Sequence, residues 1–547
     1  MKQILAIICV CFLCACTGNK QTNPQVAYGL RQLESLPLAG DWKISTEINP
    51  DLGSEAYSIR SKDNEVLVCG GDGSGVMYGL LQVKEQLEQG SAQIMDMEEA
   101  PRFPFRAIKF NLPWSAYRKA KALEIHKETC RDLVFWESFL DMMVENRFNS
   151  LTLWSLHAFP YMIRNEKYPE ACELSDEELA DWTAFWTDLF AMAKERGIDT
   201  YLVNWNIFVS PSFTEYHQLD DFNLDDPNTH VGKGDTTDII KDYIRTSVTQ
   251  LLNTYPDLTG LGVSLGERMM HMSPEEREQW ILDVFVEGIH QADRDARFIH
   301  RLPFSATAND GGSTSLSTEQ MTRKAIEGID LPDPILTEVK FNWSHGHSTP
   351  KLIHVHGGEL GDTYWNPPPE NYQLTWMIRN EDFFCLRWCE PDFIREHIKM
   401  NGQSYVGGYY LGSECYIPAK NYMTPPELSQ GYAFQRQWLY YMAWGRLLYN
   451  PDTPDETFIA ACEARFGESG ERLFEALKLG SRMPLRLATF FKGNWDFSLY
   501  SEGFLSFYAE EKTRGLITVN DLLSRDPMDP DYLSIPEYVD IMSAGDP

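Results

Sequence analysis

The sequence is poor in positive charge. Over 547 residues, 48 Lys and Arg face 80 Asp and Glu, a formal net charge of −32. That balance excludes nucleic acid as a partner, because phosphate contacts need a clustered excess of Lys and Arg. A disulfide framework is missing as well. With Cys9, Cys11, Cys14 and Cys16 at the start set aside, seven cysteines remain: Cys69, Cys130, Cys172, Cys385, Cys389, Cys415 and Cys462. They are odd in number and dispersed, and no C-x-x-C pair or His/Cys cluster suggests zinc. Buried free thiols are therefore expected, with the one pairing option among Cys385, Cys389 and Cys415. No metal and no cofactor is expected. After residue 15 no stretch approaches 18 apolar residues, so the remainder reads as soluble. Core-building material is plentiful: 43% hydrophobic residues, with 15 Trp, 25 Tyr and 29 Phe, exclude global disorder. The length implies more than one domain, or one large barrel with attachments.

The start reads Met1-Lys2-Gln3, an apolar run from Ile4 to Ala15, then Cys16-Thr17-Gly18-Asn19. A basic start with so short an apolar run fits a secretory signal rather than a spanning helix. Leu13-Cys14-Ala15-Cys16 resembles the lipobox of bacterial lipoproteins. That resemblance implies cleavage before Cys16, a lipid on its thiol, a tether over 16–27 and a place in the bacterial cell envelope. The membrane would then be reached through the lipid anchor alone.

Three zones follow. Residues 28–100 carry a strand-like Glu65–Cys69, the run Gly70-Gly71-Asp72-Gly73-Ser74-Gly75, and a helix from Val76 to Leu87. The glycines match neither G-x-x-x-x-G-K-[ST] nor the dinucleotide spacing, so a structural α+β domain is expected. From 101 to 424, eight strand candidates alternate with helices: Arg106–Leu112, Ser150–Ser155, Thr200–Asn206, Thr259–Leu265, Arg297–Pro303, Ile335–Asn342, Phe383–Trp388 and Tyr405–Leu411. Eight β/α units favour an α/β fold closed as a (β/α)₈ TIM barrel over an open doubly wound sheet. Residues 425–547 turn helical in period, starting with Gln435–Leu447.

Catalytic groups of such a barrel come from the C-terminal ends of its strands. Those ends present Lys109, Asn111, Trp154, His157, Asn204, Trp205, Asn206, Glu267, Arg301, Lys340, Asn342, Arg387, Trp388, Glu390 and Glu414. Tryptophan faces stack on pyranose rings, while Asn, His and Arg hydrogen-bond hydroxyls, so the set describes a sugar site. Glycosidic cleavage needs a carboxylic acid to protonate the leaving oxygen and a second carboxylate as base or nucleophile. Glu267, after the apolar Leu261, Val263 and Leu265, is the acid expected from the sequence, with its pKa raised among Trp residues. Glu414 and Glu390 are the alternatives for its partner. Glu338, in phase with Lys340, suits a buried ion pair. Lys109, Arg301, Lys340 and Arg387 suggest a uronic acid carboxylate as their counter-ion. His345, His347, His354 and His356 lack the H-E-x-x-H spacing and point to sugar contacts or loop structure rather than a metal.

Two short motifs add a family. Gly75-Val76-Met77-Tyr78-Gly79-Leu80-Leu81 resembles the turn and helix of the N-terminal domain in family 67 alpha-glucuronidases and family 20 hexosaminidases. Gln437-Trp438-Leu439-Tyr440-Tyr441-Met442-Ala443-Trp444-Gly445-Arg446-Leu447, with Asn450-Pro451-Asp452, looks like family 67. In that family a strand-four Glu is the acid, which by resemblance supports Glu267, while the family's base on later strands has no clear match here. The Asp-Glu pair that marks family 20 is absent, since Gly266 precedes Glu267. The resulting expectation is a cell-envelope glycoside hydrolase that removes a terminal uronic acid or related sugar from polysaccharide-derived oligosaccharides. Its alternatives are a non-catalytic surface glycan-binding lipoprotein and an N-acetylhexosaminidase-like hydrolase. Oligomeric state stays open.

Overall fold

The computed structural model describes residues 23–36, 42–91, 93–116, 123–219, 237–265, 269, 272–302, 316–342, 346–347, 349–355, 358–359, 361–379, 388–412, 417–421, 424–428, 431–489, 505–507, 514–516, 524, 526–527 and 529–545. An N-terminal module comes first. Its strands β1 (Lys43–Ile48), β2 (Tyr57–Lys62), β3 (Glu65–Gly70) and β4 (Met97–Glu99) form one sheet in the order β1-β3-β2-β4. Helix Gly73–Glu88 packs against the sheet and against helix Pro24–Glu34. The glycine turn before it is explained by closeness, since a Cβ on Gly71 would lie 1.6 Å from the Gly53 carbonyl oxygen. The helix N-terminus is closed by Asp72, whose carboxylate accepts from Gly75 N at 2.8 Å and Glu55 N at 3.0 Å. That geometry leaves no phosphate cradle.

The middle of the chain is a closed parallel barrel. Its strands are β5 (Phe105–Asn111), β6 (Ser150–Ser155), β7 (Asp199–Asn206), β8 (Gly260–Leu265), β9 (Arg297–Arg301) and β10 (Ile335–Lys340). A two-strand hairpin, β11 (His354–Val355) and β12 (Gly358–Glu359), precedes β13 (Tyr372–Arg379) and β14 (Val406–Gly412), which complete the ring in sequence order. Outward residues such as Ile108, Leu151, Leu202, Val263, Val339 and Trp376 join the core with the surrounding helices. Inward residues, among them Phe105, Ala107, Tyr201, Val203, Ile299, Leu336, Met377 and Tyr410, fill the lumen. Glycine makes room for the large ones: a Cβ on Gly262 would sit 2.9 Å from Val203 Cγ2 and 3.0 Å from Ile299 Cβ.

One expected strand is corrected. The seventh strand of the closed barrel is Tyr372–Arg379 where Phe383–Trp388 was expected, and residues 383–387 of that run lie outside the described residues. The apolar run 383–388 looks like a doubly buried strand, whereas the true strand carries Gln373, Thr375 and Arg379 on its inward face and so reads as mixed.

Helices Trp438–Tyr449, Asp455–Phe466 and Gly470–Thr489 make the tail. Tail and module meet under the N-terminal end of the barrel. There Glu55 binds Arg106 and Asn149, while its carbonyl accepts from Tyr449 Oη at 2.6 Å. The C-terminal ends of the strands are thereby left for a site. Among the described residues no helix is long and apolar enough to cross a membrane. Cys69, Cys130, Cys172, Cys389 and Cys462 are free thiols, which corrects the pairing option for Cys389; Cys385 and Cys415 lie outside the described residues.

Candidate active site

Strand alternation decides which residues reach the barrel axis. In the C-terminal half, Lys109 and Asn111 on β5 continue the inward phase of Ala107, and Trp154 and Trp205 belong to the lumen cluster. Ser264, Arg301, Glu338 and Lys340 follow on β8, β9 and β10, and Arg379 shares the phase of Met377 on β13. Lys109, Arg301, Glu338, Lys340 and Arg379 are all buried.

Their contacts form a chain around the axis. Lys109 Nζ lies 4.1 Å from the ring centre of Trp154 and 5.2 Å from that of Trp205. The Arg301 guanidinium lies 5.9 Å from the Trp154 ring centre. Trp154 meets Trp205 edge to face at 4.9 Å, and its Nε1 donates to Thr152 Oγ1 at 2.8 Å. Trp154 is 1% exposed and has two cations at its ring. It therefore stations charge by cation–π attraction instead of offering a face to a sugar. Arg301 Nη1 donates to Ser264 Oγ at 3.1 Å, and its Nε lies 3.8 Å from Glu338 Oε1. Glu338 thus takes the ion-pair role that its phase suggested. Burial, with the Glu338 carboxylate close by, pushes the Tyr410 hydroxyl well above its ordinary pKa, so Tyr410 stays a neutral phenol.

Other expected site residues go elsewhere. Asn204 and Asn206 alternate to the outer face of β7, and His157 lies two residues past the end of β6. The His157 ring pairs through Nε2 with the Tyr243 hydroxyl at 2.9 Å. Asn206 Nδ2 donates to the carbonyls of Asn204 and Ser264, each at 3.3 Å. The Asn204 amide is buried without a hydrogen-bond partner among the described residues. Asn342 is a loop clamp: Nδ2 donates to the Lys351 carbonyl and Oδ1 accepts from Ile353 N, both at 2.8 Å. The clamped loop is held from beyond by the tail, where Thr349 Oγ1 donates to Asp529 Oδ2 at 2.9 Å and Lys351 pairs with Asp531 at 2.6 Å.

With strand seven moved, Trp388 and Glu390 leave the rim. Trp388 packs beneath the tail helix, 4.7 Å from His347 and 6.3 Å from Trp444. Glu390 precedes helix Pro391–Asn401, and both its oxygens accept from Arg482 at 3.1 Å. Burial holds the Glu390 carboxyl above its usual range despite that arginine. His347 is also structural. Its Nδ1 hydrogen-bonds the Arg379 carbonyl at 3.0 Å and its Nε2 accepts from Trp444 Nε1 at 3.3 Å, which fixes a neutral ring whose pKa burial lowers to about 3. Glu267, Glu414, Arg387, His345 and His356, and the side chain of His354, lie outside the described residues. Among the described residues no group of three or more His, Cys, Asp or Glu could hold a metal.

Sequence reasoning missed Arg379 and Tyr410. The signal for Arg379 was present as Thr375-x-Met377-x-Arg379, a period of two ending in a cation.

No protein-family model matches the chain, and no curated protein sequence matches it. Solved structures do. A GH138 enzyme targeting pectin rhamnogalacturonan II is similar over 96% of this chain, with 19% identity and a TM-score of 0.70. The barrel shares that enzyme's fold. This chain spans 62% of the length of that structure. More distant are a beta-N-acetylhexosaminidase from Bacteroides fragilis (13% identity, 80% of this chain, 84% of that one, TM-score 0.47) and a GH115 4-O-methyl-alpha-glucuronidase with specificity for decorated arabinogalactans. The latter shows 12% identity over 87% of this chain and 62% of its own, with a TM-score of 0.48.

Proposed function

We propose that this protein is a glycoside hydrolase that releases a terminal uronic acid from polysaccharide-derived oligosaccharides. The observation that carries the reading is charge. In the C-terminal half of the lumen, four cations (Lys109, Arg301, Lys340 and Arg379) share the axis with one described carboxylate, Glu338, inside a chain of net charge −32. Guanidinium and ammonium groups gathered on the axis of a barrel suit a substrate that carries a carboxylate.

In this mechanism Glu267, just past the end of β8, protonates the leaving oxygen. Glu414, just past β14, acts as base or nucleophile. The carbohydrate target named for the GH138 structure and the family 67 resemblance of the module and tail motifs support the same reaction class. The lipobox supports an envelope-anchored enzyme, lipidated at Cys16, that meets short oligosaccharides at its surface.

A panel of uronic-acid-capped and neutral-capped oligosaccharides, followed by chromatography of released monosaccharide, tests the reading. Release of uronic acid that vanishes in Glu267→Gln is the expected result. Turnover of neutral caps alone would sink the uronic-acid assignment.

A further inference from the structure

The chain enters the fold at the base of the barrel. Helix Pro24–Glu34 begins after Asn23, whose side chain caps it by accepting from Gln25 N at 3.0 Å and Val26 N at 3.2 Å. Gln25 Nε2 donates to the Lys194 carbonyl at 2.8 Å. Lys194 lies in the last turn of helix Asp176–Glu195, and the short turn after it leads into β7 at Asp199, the N-terminal end of that strand. Gly197 in this turn touches the same place, since a Cβ there would lie 2.5 Å from Ser74 Oγ and 3.4 Å from Gln25 Cγ. One turn further along the first helix, Tyr28 Oη donates to Asp141 Oδ1 at 2.7 Å, an oxygen that also accepts from Arg196 Nε at 2.6 Å. The first helix is therefore bound to the end of the barrel opposite the mouth.

Helix Asp176–Glu195 measures how far away the mouth is. It follows β6 and returns the chain from the mouth to the base, as each helix of a parallel barrel does. Its 20 residues extend about 30 Å. Cys16 and Asn23 are seven peptide steps apart (23 − 16 = 7). Whatever their conformation, these steps span at most about 25 Å.

Resting on the reading above of an enzyme lipidated at Cys16, we infer that the base of the barrel faces the membrane and the mouth faces the water. A barrel turned mouth-down would hold Asn23 about one such helix length above the bilayer, farther than the tether reaches. At a net charge of −32 the chain gains no attraction from anionic headgroups that could hold the mouth down. The orientation selects substrates. Glycan ends arriving from the aqueous side reach the mouth, while a sugar cap on a lipid of the same leaflet does not, because a tether too short to span two sites gives them almost no effective concentration.

The test uses the full-length lipidated protein in liposomes of phosphatidylethanolamine and phosphatidylglycerol, with an energy-acceptor dye on the headgroups. A fluorescent non-natural amino acid replaces either Asp176 or Lys194, two exposed positions near opposite ends of one helix. Energy transfer from position 194 should exceed that from position 176 at least about 2-fold, given a separation of about 27 Å along the helix. Equal transfer from both, or stronger transfer from 176, would overturn the orientation. A uronic-acid-capped glycolipid in the same liposomes should be cleaved at least about 10-fold more slowly than the same cap free in solution, and inserting about twenty Gly and Ser residues after Gln21 should remove most of that difference. Glycolipid cleavage at the solution rate with the native tether would also overturn it. Protein inactive on every soluble cap would sink the hydrolase reading and leave energy transfer to decide the orientation. Wild-type protein that fractionates as Cys16→Ser does would sink the anchor and the orientation together.

Discussion

Glu55 and Arg106 form a two-point ion pair, 2.8 Å for Nη2–Oε1 and 3.1 Å for Nη1–Oε2, across the junction between module and barrel. The Arg106 side chain is wholly buried, and Asn149 Nδ2 donates to the same carboxylate. Removing the acid strands a desolvated guanidinium. Glu55→Ala is expected to lower stability by about 3–5 kcal/mol, and Glu55→Gln by less, because the amide oxygen still accepts from Arg106. Urea denaturation checks both.

Trp154 is placed to act through Lys109 and Arg301. Trp154→Phe keeps most of the packing but weakens the cation–π attraction, which is worth about 0.5–2 kcal/mol. Uronate affinity should fall about 3- to 30-fold while neutral-sugar affinity stays unchanged. Parallel titrations separate the two.

His347 and His397 sit in the aromatic layer between barrel and tail, each with a folded-state pKa lowered from 6.5 to about 3, chiefly by burial. As pH falls below 6.5 the unfolded chain takes up these protons and the folded chain does not. The stability they contribute is complete above about pH 6.5 and is lost progressively as the pH falls toward 3, at up to about 1.4 kcal/mol per pH unit for each ring. Melting temperatures between pH 7 and 4 should drop steeply in the wild type. His347→Gln should give a shallower slope from a lower starting value.

Two glutamates should separate chemistry from structure. Glu267→Gln is expected to cut turnover of poor-leaving-group glycosides by at least about 100-fold, with activated aryl glycosides less affected. Glu390→Gln should leave kcat near wild type and lower the melting temperature, because Arg482 loses the nearer of its two charged partners, Glu390 and Asp392. Glycoside kinetics beside thermal melts show which residue does which.

Cys16→Ser should move the protein from the membrane to the soluble fraction. Fractionation of cells expressing each form, with immunoblotting, reads the result.

The barrel was legible because most of its strands are apolar runs separated by amphipathic helices. Strand β13 was not, since polar inward residues break its pattern and Phe383–Trp388 offers a cleaner apolar run nearby. Lys109, Arg301 and Lys340 could be found by asking which cations end strands. Facing could not be found that way: Asn204 and Asn206 end a strand too, and only the phase set by Val203 and Trp205 shows their side chains turned outward, while His157 falls past the end of its strand. Asn342 and Trp388 owe their roles to partners far along the chain or in a loop. Strand-end position carries no trace of those.

The loop that leaves β10 is tied to Asp529 and Asp531 across 180 positions of sequence. During synthesis the barrel strands emerge long before these two aspartates do. The newly made barrel therefore waits without this brace on its β10 loop until residues 529–531 have been made. The mouth is thus completed after the barrel strands, and removing residues 529–545 should disturb the entrance of the barrel sooner than its core.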